Sequence, residues 1–535
     1  MAGGRQTAVA GAAPLAAKQT LTYMPKDTFY LTTPLYYTQA NPHIGHGYTS
    51  IAADMLARFH RVTGSGKVHL LTGTDEHAQK IADAAHKIGK TPKQFVDDMI
   101  VHWKTQWSDL NIQYDQIIRT THVDHKAAVQ QIFSALRDSG DIVPGKYESW
   151  YCRNDETFWV ESKLKDGRCP NPECGRPVEW VSEDGWFFKQ SRYRDRLLEH
   201  FRAHPEWVRP QSTYNEMMAI LEGGLEDLYV SRSSVGWGIE VPGEPGTTIY
   251  VWFDAICNYI TAIGFPHDMA RFEHFWPADV QLIGKEIARF HTIVWPAILM
   301  ALKVALPRLV FANGWITMGG VKMSKSLGNI VSAAELIERY SVDGTRYLLF
   351  SQATYGTDFS LSDEEMLRRY NADLANDLGN LVQRTLSMLA RYRSAVVPAS
   401  SGVSELAAGF ESARDVVLGA MPALDYRGAL SAVFERVAEL NLHVERTKPW
   451  ELAKRADEQR LSDVLYELCE GVRWIGALVY PFMPTTAETI WRALGQSGVP
   501  GRFWEQELQW GRLTAGTQTR LPPALFPRIE AQAAS

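Results

Sequence analysis

"NPHIGHGYTSIAADMLARF", Asn41–Phe59, sets two histidines, His43 and His46, where an irregular loop turns into an amphipathic helix. Ile44, Tyr48, Ile51, Met55, Leu56 and Phe59 recur at helical spacing. Upstream, "TFYLTT" (Thr28–Thr33) reads as a strand. Downstream, "VTGSGK" ends the helix before the apolar run "VHLLTG" (Val68–Gly73). A short, uninterrupted apolar run suits a strand covered on both faces. Strand, helix and strand in succession predict a parallel sheet with a right-handed crossover. A similar unit lies far downstream, with "VQLIG" (Val280–Gly284) as strand, Ile287–Lys303 as helix and "LVFANG" (Leu309–Gly314) as strand. Between the two units, residues 147–245 hold cysteines, prolines and many tryptophans and arginines. That texture predicts an insertion dividing one doubly wound α/β domain into halves. From about Ser362 strand signals vanish, and long amphipathic runs predict a helical bundle.

With 535 residues, 45% hydrophobic and 22% charged, the chain can fill several domain cores. A formal charge of -6 gives no general attraction to nucleic acid, so such a partner must be met by local patches. Five cysteines in so long a chain argue against a disulfide framework. The longest apolar run, "IVWPAILMALKVAL", is interrupted by Lys303 and too short to span a bilayer, so it reads as a buried helix and no membrane partner is expected. Residues 1–26 are rich in Ala, Gly and Thr and read as a disordered tail. A transit peptide, and with it an organellar location, would want more arginines, so a cytoplasmic location is expected.

The metal reading of the two histidines fails first. A zinc helix of the H-E-x-x-H kind needs four-residue spacing and a glutamate, and neither is present. At the N-terminus of a helix that follows a parallel strand, free N–H groups and partial positive charge favour phosphate. Imidazoles there can donate to phosphate oxygens, and Gly45 lets a flat ring approach the backbone. A second stretch, "GGVKMSKSLGN" (Gly319–Asn329), follows the second strand–helix–strand unit. Its Lys322 and Lys325, in a loop with Gly319, Gly320 and Gly328, could close on a polyphosphate and neutralise a leaving pyrophosphate.

The HIGH and KMSKS stretches together resemble the signatures of class I aminoacyl-tRNA synthetases. "TTPLYYTQANPHIGH", "LLTGTDEH", "YVWFDAICNYI", "LIGKEIARFHTIVWPA" and "NDLGNLVQR" resemble the methionyl-tRNA synthetases in particular; they run from Thr32 to Arg384, and the resemblance extends over nearly the whole chain, from about residue 28 to residue 490. The resemblance implies a Rossmann-type doubly wound parallel sheet (residues 27–146 and 246–314) split by a connective domain (147–245). A KMSKS and stem-contact region (315–361), an all-α anticodon-binding bundle (362–510) and a C-terminal tail (511–535) complete the chain. It also implies activation of methionine by ATP with Mg2+ and transfer to tRNA(Met).

In roles so implied, His43 and His46 stabilise the phosphates and Gly45 lies near the adenine. Lys322, Ser324 and Lys325 act at the β- and γ-phosphates. Asp75 and the backbone of Leu35 take the methionine ammonium, and Tyr37, Trp252, Tyr259 and His291 surround the thioether. A carboxylate buried without a partner is costly, which suits a site that waits for a cation. For Trp252 and Tyr259 ordinary core packing is the rival. Ile256 stands where relatives carry proline, and Glu286 where they carry aspartate. In the bundle, Asn380 and Arg384 meet anticodon bases, with Pro449 and Trp450 as a stacking platform. The family's zinc knuckle has two C-x-x-C-like pairs. Here Cys152 and Asp155 form the first, and Cys169 and Cys174 a stretched second, so a structural Zn2+ on a Cys3Asp set stays open beside three small buried thiols. The chain closes soon after the bundle, and a monomer is expected.

Three rivals remain. Small nucleotidyltransferases also use an H-x-G-H helix start, but the bundle and the lysine-serine loop speak against them. Synthetases for leucine, isoleucine or valine carry a larger insertion. A catalytically inactive tRNA-binding protein would have no need of His43, His46, Lys322 and Lys325.

Overall fold

Burial on both faces is what the first strands show. The computed structural model describes residues 27–64, 66–155, 157–171, 174–233, 236–319, 321–322, 331–402 and 404–530; the expected tail, 1–26, lies outside them. Strand β1 (Thr28–Tyr37) leads through a short loop into helix α1 (Ile44–Thr63), and β2 (Lys67–Asp75) returns alongside β1. Gly64 ends α1 at φ 77, a left-handed conformation that costs glycine nothing. The central sheet adds β3 (Gln116–Arg119), β6 (Val208–Arg209), β7 (Val280–Gly284) and β8 (Val310–Asn313). Its order is β3-β2-β1-β7-β8-β6, all parallel. The order reverses between β1 and β7, and ligands of such sheets bind at the carboxyl ends of the strands flanking that point. The expected strands at Thr28–Thr33, Val68–Gly73, Val280–Gly284 and Leu309–Gly314 all fall in this sheet.

The second unit departs from expectation in one place. In place of a single helix over Ile287–Lys303, the chain makes a 3-10 turn (Lys285–Ile287), a π-helical turn (Phe290–Val294) and an α-helix (Trp295–Ala301). Pro296 has no N–H to donate back into the preceding turn, and a widened turn accommodates the missing bond. His291 lies inside that widened turn.

Residues 147–245 have their own architecture. β4 (Ile142–Cys152) and β5 (Glu179–Phe188) form a long antiparallel ladder flanked by Thr157–Trp159 and Leu228–Tyr229. The ladder starts at Ile142, and the same stretch of chain also supplies β6 to the edge of the central sheet.

Beyond the sheet, β9 (Ile316–Met318) pairs with β10 (Val321–Lys322) and in parallel with Phe359–Leu361. Helix α2 (Val251–Ile256) precedes β7, and α3 (Ala333–Ser351) leads to the bundle. The bundle includes α4 (Asn380–Arg393), α5 (Tyr426–Thr447) and α6 (Glu458–Val479). Helix α6 is buried on all sides from Asp463 onward and forms its axis. Residues 511–530 lie along the bundle, with Tyr466 Oη donating to the Leu513 carbonyl at 2.9 Å and Ile529 N donating to Asn371 Oδ1 at 3.0 Å.

The bundle's core runs without a break into that of α1. A buried charge cluster reinforces the junction. Asp54, midway along α1, accepts from Arg58 Nε at 2.8 Å, Arg346 Nη2 at 2.6 Å and Gln113 N at 2.8 Å. Arg346 also donates to the carbonyls of Phe482, Pro481 and Leu110. Burial alone would raise the Asp54 carboxyl, but Arg58 and Arg346 beside it hold it below the ordinary value. Tyr426 Oη adds a bond to the Ala52 carbonyl at 2.7 Å.

Candidate active site

At the switch point, the two histidines close the N-terminus of α1 on themselves. His43 is the N-cap, with extended backbone; its Nδ1 accepts from Gly45 N at 3.1 Å, and His46 Nδ1 accepts from His43 N at 3.2 Å. This is a capping box in which both acceptors are imidazoles. An accepting Nδ1 carries no proton, so the hydrogen-bond network assigns the proton to Nε2 in both rings. The rings stack at 3.8 Å, and His46 packs against Trp103, which stacks on Tyr36. Burial, with His43 adding to it, pushes the His46 imidazole well below its ordinary value and keeps it neutral at pH 7. The capping and catalytic readings are thus compatible: capping uses Nδ1 and leaves an N–H donor on the other edge.

Lys322 ends β10, whose strand pairs it with Thr317. Lys325, Ser324, Gly320 and Gly328 lie outside the described residues. The far flank of that loop is fixed at α1, because Ile44 N donates to the Val331 carbonyl at 3.2 Å. Lys325 stands six positions before Val331, a reach of at most roughly 22 Å.

Two of the residues expected to hold the amino acid meet at the ends of β1 and β2. A register shift between Thr32 and Leu35 sets Tyr37 opposite Asp75 at the ends of β1 and β2. Gly73 permits the close approach there; a Cβ on it would stand 2.1 Å from the Ile118 carbonyl oxygen. Asp75 is 2% exposed, and its Oδ1 accepts from His77 N at 3.3 Å. Tyr37 meets Trp252 edge-on at 6.0 Å, and Trp252 stacks on Phe290 at 4.1 Å. Tyr259 is 1% exposed and lies 2.7 Å from His291 Nε2 through its hydroxyl. His291 Nδ1 must donate to the Ile287 carbonyl at 3.0 Å, so Nε2 is the acceptor and Tyr259 the donor. Burial pushes His291 down to about 4, so it is neutral near pH 7. Tyr259 is therefore a core residue whose hydroxyl also fixes the His291 ring.

Sequence reasoning missed four residues here. Phe290 backs Trp252, and its signal was only its place beside His291. Asp254 and His125 form a buried cluster with His77; an acid amid "VWFDAI" was the available sign.

Cys152, Asp155, Cys169 and Cys174 come together, with one donor atom from each lying within 4.8 Å of the others. Cys152 Sγ and Cys174 Sγ are 3.4 Å apart, and Cys169 Sγ is 3.1 Å from Asp155 Oδ2. Thiolates on one tetrahedral zinc stand roughly 3.8 Å apart, so the set is close to the size the ion requires. The stretched second pair is no obstacle, because Cys174 N donates to the Asn171 carbonyl at 3.0 Å.

In the bundle Asn380 is exposed at the start of α4, and Arg384 pairs with Glu445 of α5 at 2.7 Å. Pro449 is buried as the first residue of a short helix, while Trp450 is half-buried against the bundle core. Of the two expected platform residues, Trp450 alone keeps accessible ring surface; Pro449 sits inward because its helix starts there.

The model of the family described as tRNA synthetases class I (M) matches residues 29–386. The methionine–tRNA ligase of Caldanaerobacter subterraneus subsp. tengcongensis is 46% identical over 513 residues, covering 95% of this chain and 80% of the relative. That of Clostridium tetani is 44% identical over 517 residues, with coverages of 95% and 80%. Mycobacterium tuberculosis methionyl-tRNA synthetase in complex with methionyl-adenylate superposes with a TM-score of 0.88 at 39% identity, over 94% of this chain and 100% of that one. Its apo form gives 0.83 at 36% identity, over 96% and 100%.

Proposed function

The chain belongs to the methionine–tRNA ligases of class I, and from that premise we propose how its residues divide the work of the reaction. Methionine is activated by ATP to methionyl-adenylate and then transferred to the 3′ end of tRNA(Met). The methionine carboxylate attacks the α-phosphorus in line, the bond to the β-phosphate oxygen breaks, and pyrophosphate leaves. The protein's share is mostly positioning and charge neutralisation. In the second step a hydroxyl of the tRNA 3′ end attacks the acyl carbon, and AMP leaves.

The Nε2–H edges of His43 and His46 donate to phosphate oxygens as charge grows on them. The observation that carries this reading is the capping box, which fixes both tautomers before substrate arrives. Gly45 leaves room for the adenine, while Lys322, Ser324 and Lys325 take the β- and γ-phosphates of ATP, which comes with its own Mg2+. Asp75 and the Leu35 backbone hold the ammonium. Tyr37, Trp252, Tyr259 and His291 form the thioether slot, where sulfur packs well against ring edges. ATP–pyrophosphate exchange, run with each amino acid in turn, tests the assignment. Exchange with methionine alone is expected; exchange with a different amino acid, or with none, overturns it.

We read residues 362–510 as the anticodon-binding unit, with Asn380, Arg384 and Trp450 as its contacts and Pro449 as the support under Trp450. Base stacking on one aromatic is worth about 1–3 kcal/mol. Trp450→Ala should therefore leave exchange unchanged and lower kcat/KM for tRNA charging roughly ten- to a hundredfold. Equal loss in the two assays counts against the role.

Cys152, Asp155, Cys169 and Cys174 would hold one structural Zn2+, which when bound ties the β4 end to the 169–174 loop. Metal analysis of the purified protein is expected to give one zinc per chain, with Cys169→Ser losing the metal and melting at lower temperature. We read the protein as a monomer of the cytoplasm. Among the described residues its exposed large apolar side chains come from many separate elements, and the relatives named above are bacterial.

A further inference from the structure

Asp254 is completely buried, two residues after Trp252 on α2, and both its oxygens are engaged. Oδ2 lies 2.7 Å from His77 Nδ1, and Oδ1 lies 2.8 Å from His125 Nε2. An ionised carboxylate only accepts, so both rings donate to it. His125 Nδ1, on the far side of its ring, lies 2.7 Å from Thr261 Oγ1. None of these groups is used in the chemistry above, and a carboxylate taken wholly out of water is costly unless it is paired and hydrogen-bonded, as Asp254 is.

The connections of the cluster point one way. Helix α2 is six residues long and has no side-chain N-cap, so its own hydrogen bonds cannot hold it in place. Asp254 fixes it to His77, which follows β2. The His77 backbone N–H donates to Asp75 Oδ1 at 3.3 Å, and the His77 ring is edge-on to Trp237, whose Nε1 bonds the Glu76 carbonyl at 2.6 Å. One buried carboxylate thus joins the strand end that carries Asp75 to the helix that carries Trp252.

We infer that Asp254 is a positioning residue for methionine, setting through His77 the spacing between the ammonium-binding carboxylate and the Trp252 wall. His125 only orients Asp254 from behind. This rests on the assignment of Asp75 and Trp252 to the methionine site.

Methionine-dependent ATP–pyrophosphate exchange separates the possibilities. Asp254→Asn keeps the volume but can no longer accept from both rings. It is expected to raise KM for methionine at least tenfold, with KM for ATP unchanged and kcat within about threefold. His77→Gln should raise the methionine KM similarly, whereas His125→Gln should change it less than threefold, because only His77 reaches Asp75. A purely structural cluster would give parallel losses in both histidine variants and in both Michaelis constants, and that pattern overturns the inference. If Asp254→Asn fails to fold, the histidine pair still decides. Asp75→Asn serves as the control. If it leaves exchange intact, the site assignment has failed; if it abolishes exchange while Asp254→Asn and His77→Gln keep a wild-type methionine KM, the assignment stands and the positioning role is lost.

Discussion

Asp75→Asn is expected to lower kcat/KM for methionine activation by between a hundredfold and several thousandfold, with the fold retained. Removing one partner of a buried charge pair typically costs 3–5 kcal/mol, because the other charge is left unpaired, and here that charge is the substrate's own ammonium. Asparagine keeps the size of the side chain, and its amide oxygen can still accept from the His77 N–H that now reaches Asp75 at 3.3 Å. In the free protein the substitution keeps the volume of a side chain that is 2% exposed, so no cavity opens and the fold is retained. Exchange assays with a parallel melting curve check both halves. Exchange within threefold of the unmodified protein would mean that the ammonium is held elsewhere.

What the sequence announced and what it concealed divide along physical lines. The strands β1, β2, β7 and β8 were legible because buried parallel strands are written as short apolar runs, and α1 because its apolar residues repeat at the helical period. His43 and His46 were legible by their place at a helix start, although their mutual capping depends on backbone angles that spacing does not specify. The edge strand β6 has two residues and no run to read. The π-helical turn at His291 arises from how Pro296 is accommodated, and periodicity sees only a helix. The four candidate zinc ligands were readable as a set, but their closeness depends on a backbone bond from Cys174 to Asn171 that spacing does not specify. The ionic clusters were hidden most completely. Arg346 meets Asp54 from 292 positions away, and Asp254 meets His125 from 129. Only the topology brings those side chains together.

The Asp54 cluster carries the second large expectation. Asp54→Ala should destabilise the protein by about 3–5 kcal/mol, since it leaves the guanidinium groups of Arg58 and Arg346 buried, adjacent and of like charge. Unfolding of a chain this large is not two-state, so the measure is the urea midpoint of the transition that includes α1. Asp54→Asn should lose less, because its oxygen still accepts a hydrogen bond. The acid response of the native protein offers an independent check. The folded Asp54 carboxyl lies below its ordinary 3.8, so its contribution is fully present above that value and is lost only as the pH falls through the still lower folded value. The gap in stability between the native protein and Asp54→Ala should therefore be constant from pH 8 to pH 5 and narrow only below about pH 4. Function should follow a different pattern from that of Trp450→Ala. Asp54 fixes the helix whose first turn holds His43 and His46, and its partner Arg346 grips the turn at Pro481 and Phe482. Displacing α1 should impair methionine activation and tRNA charging in equal proportion. A variant that melts early yet activates methionine normally would mean that the apolar core alone holds α1 in register, and the charge cluster would then contribute stability without aligning the site.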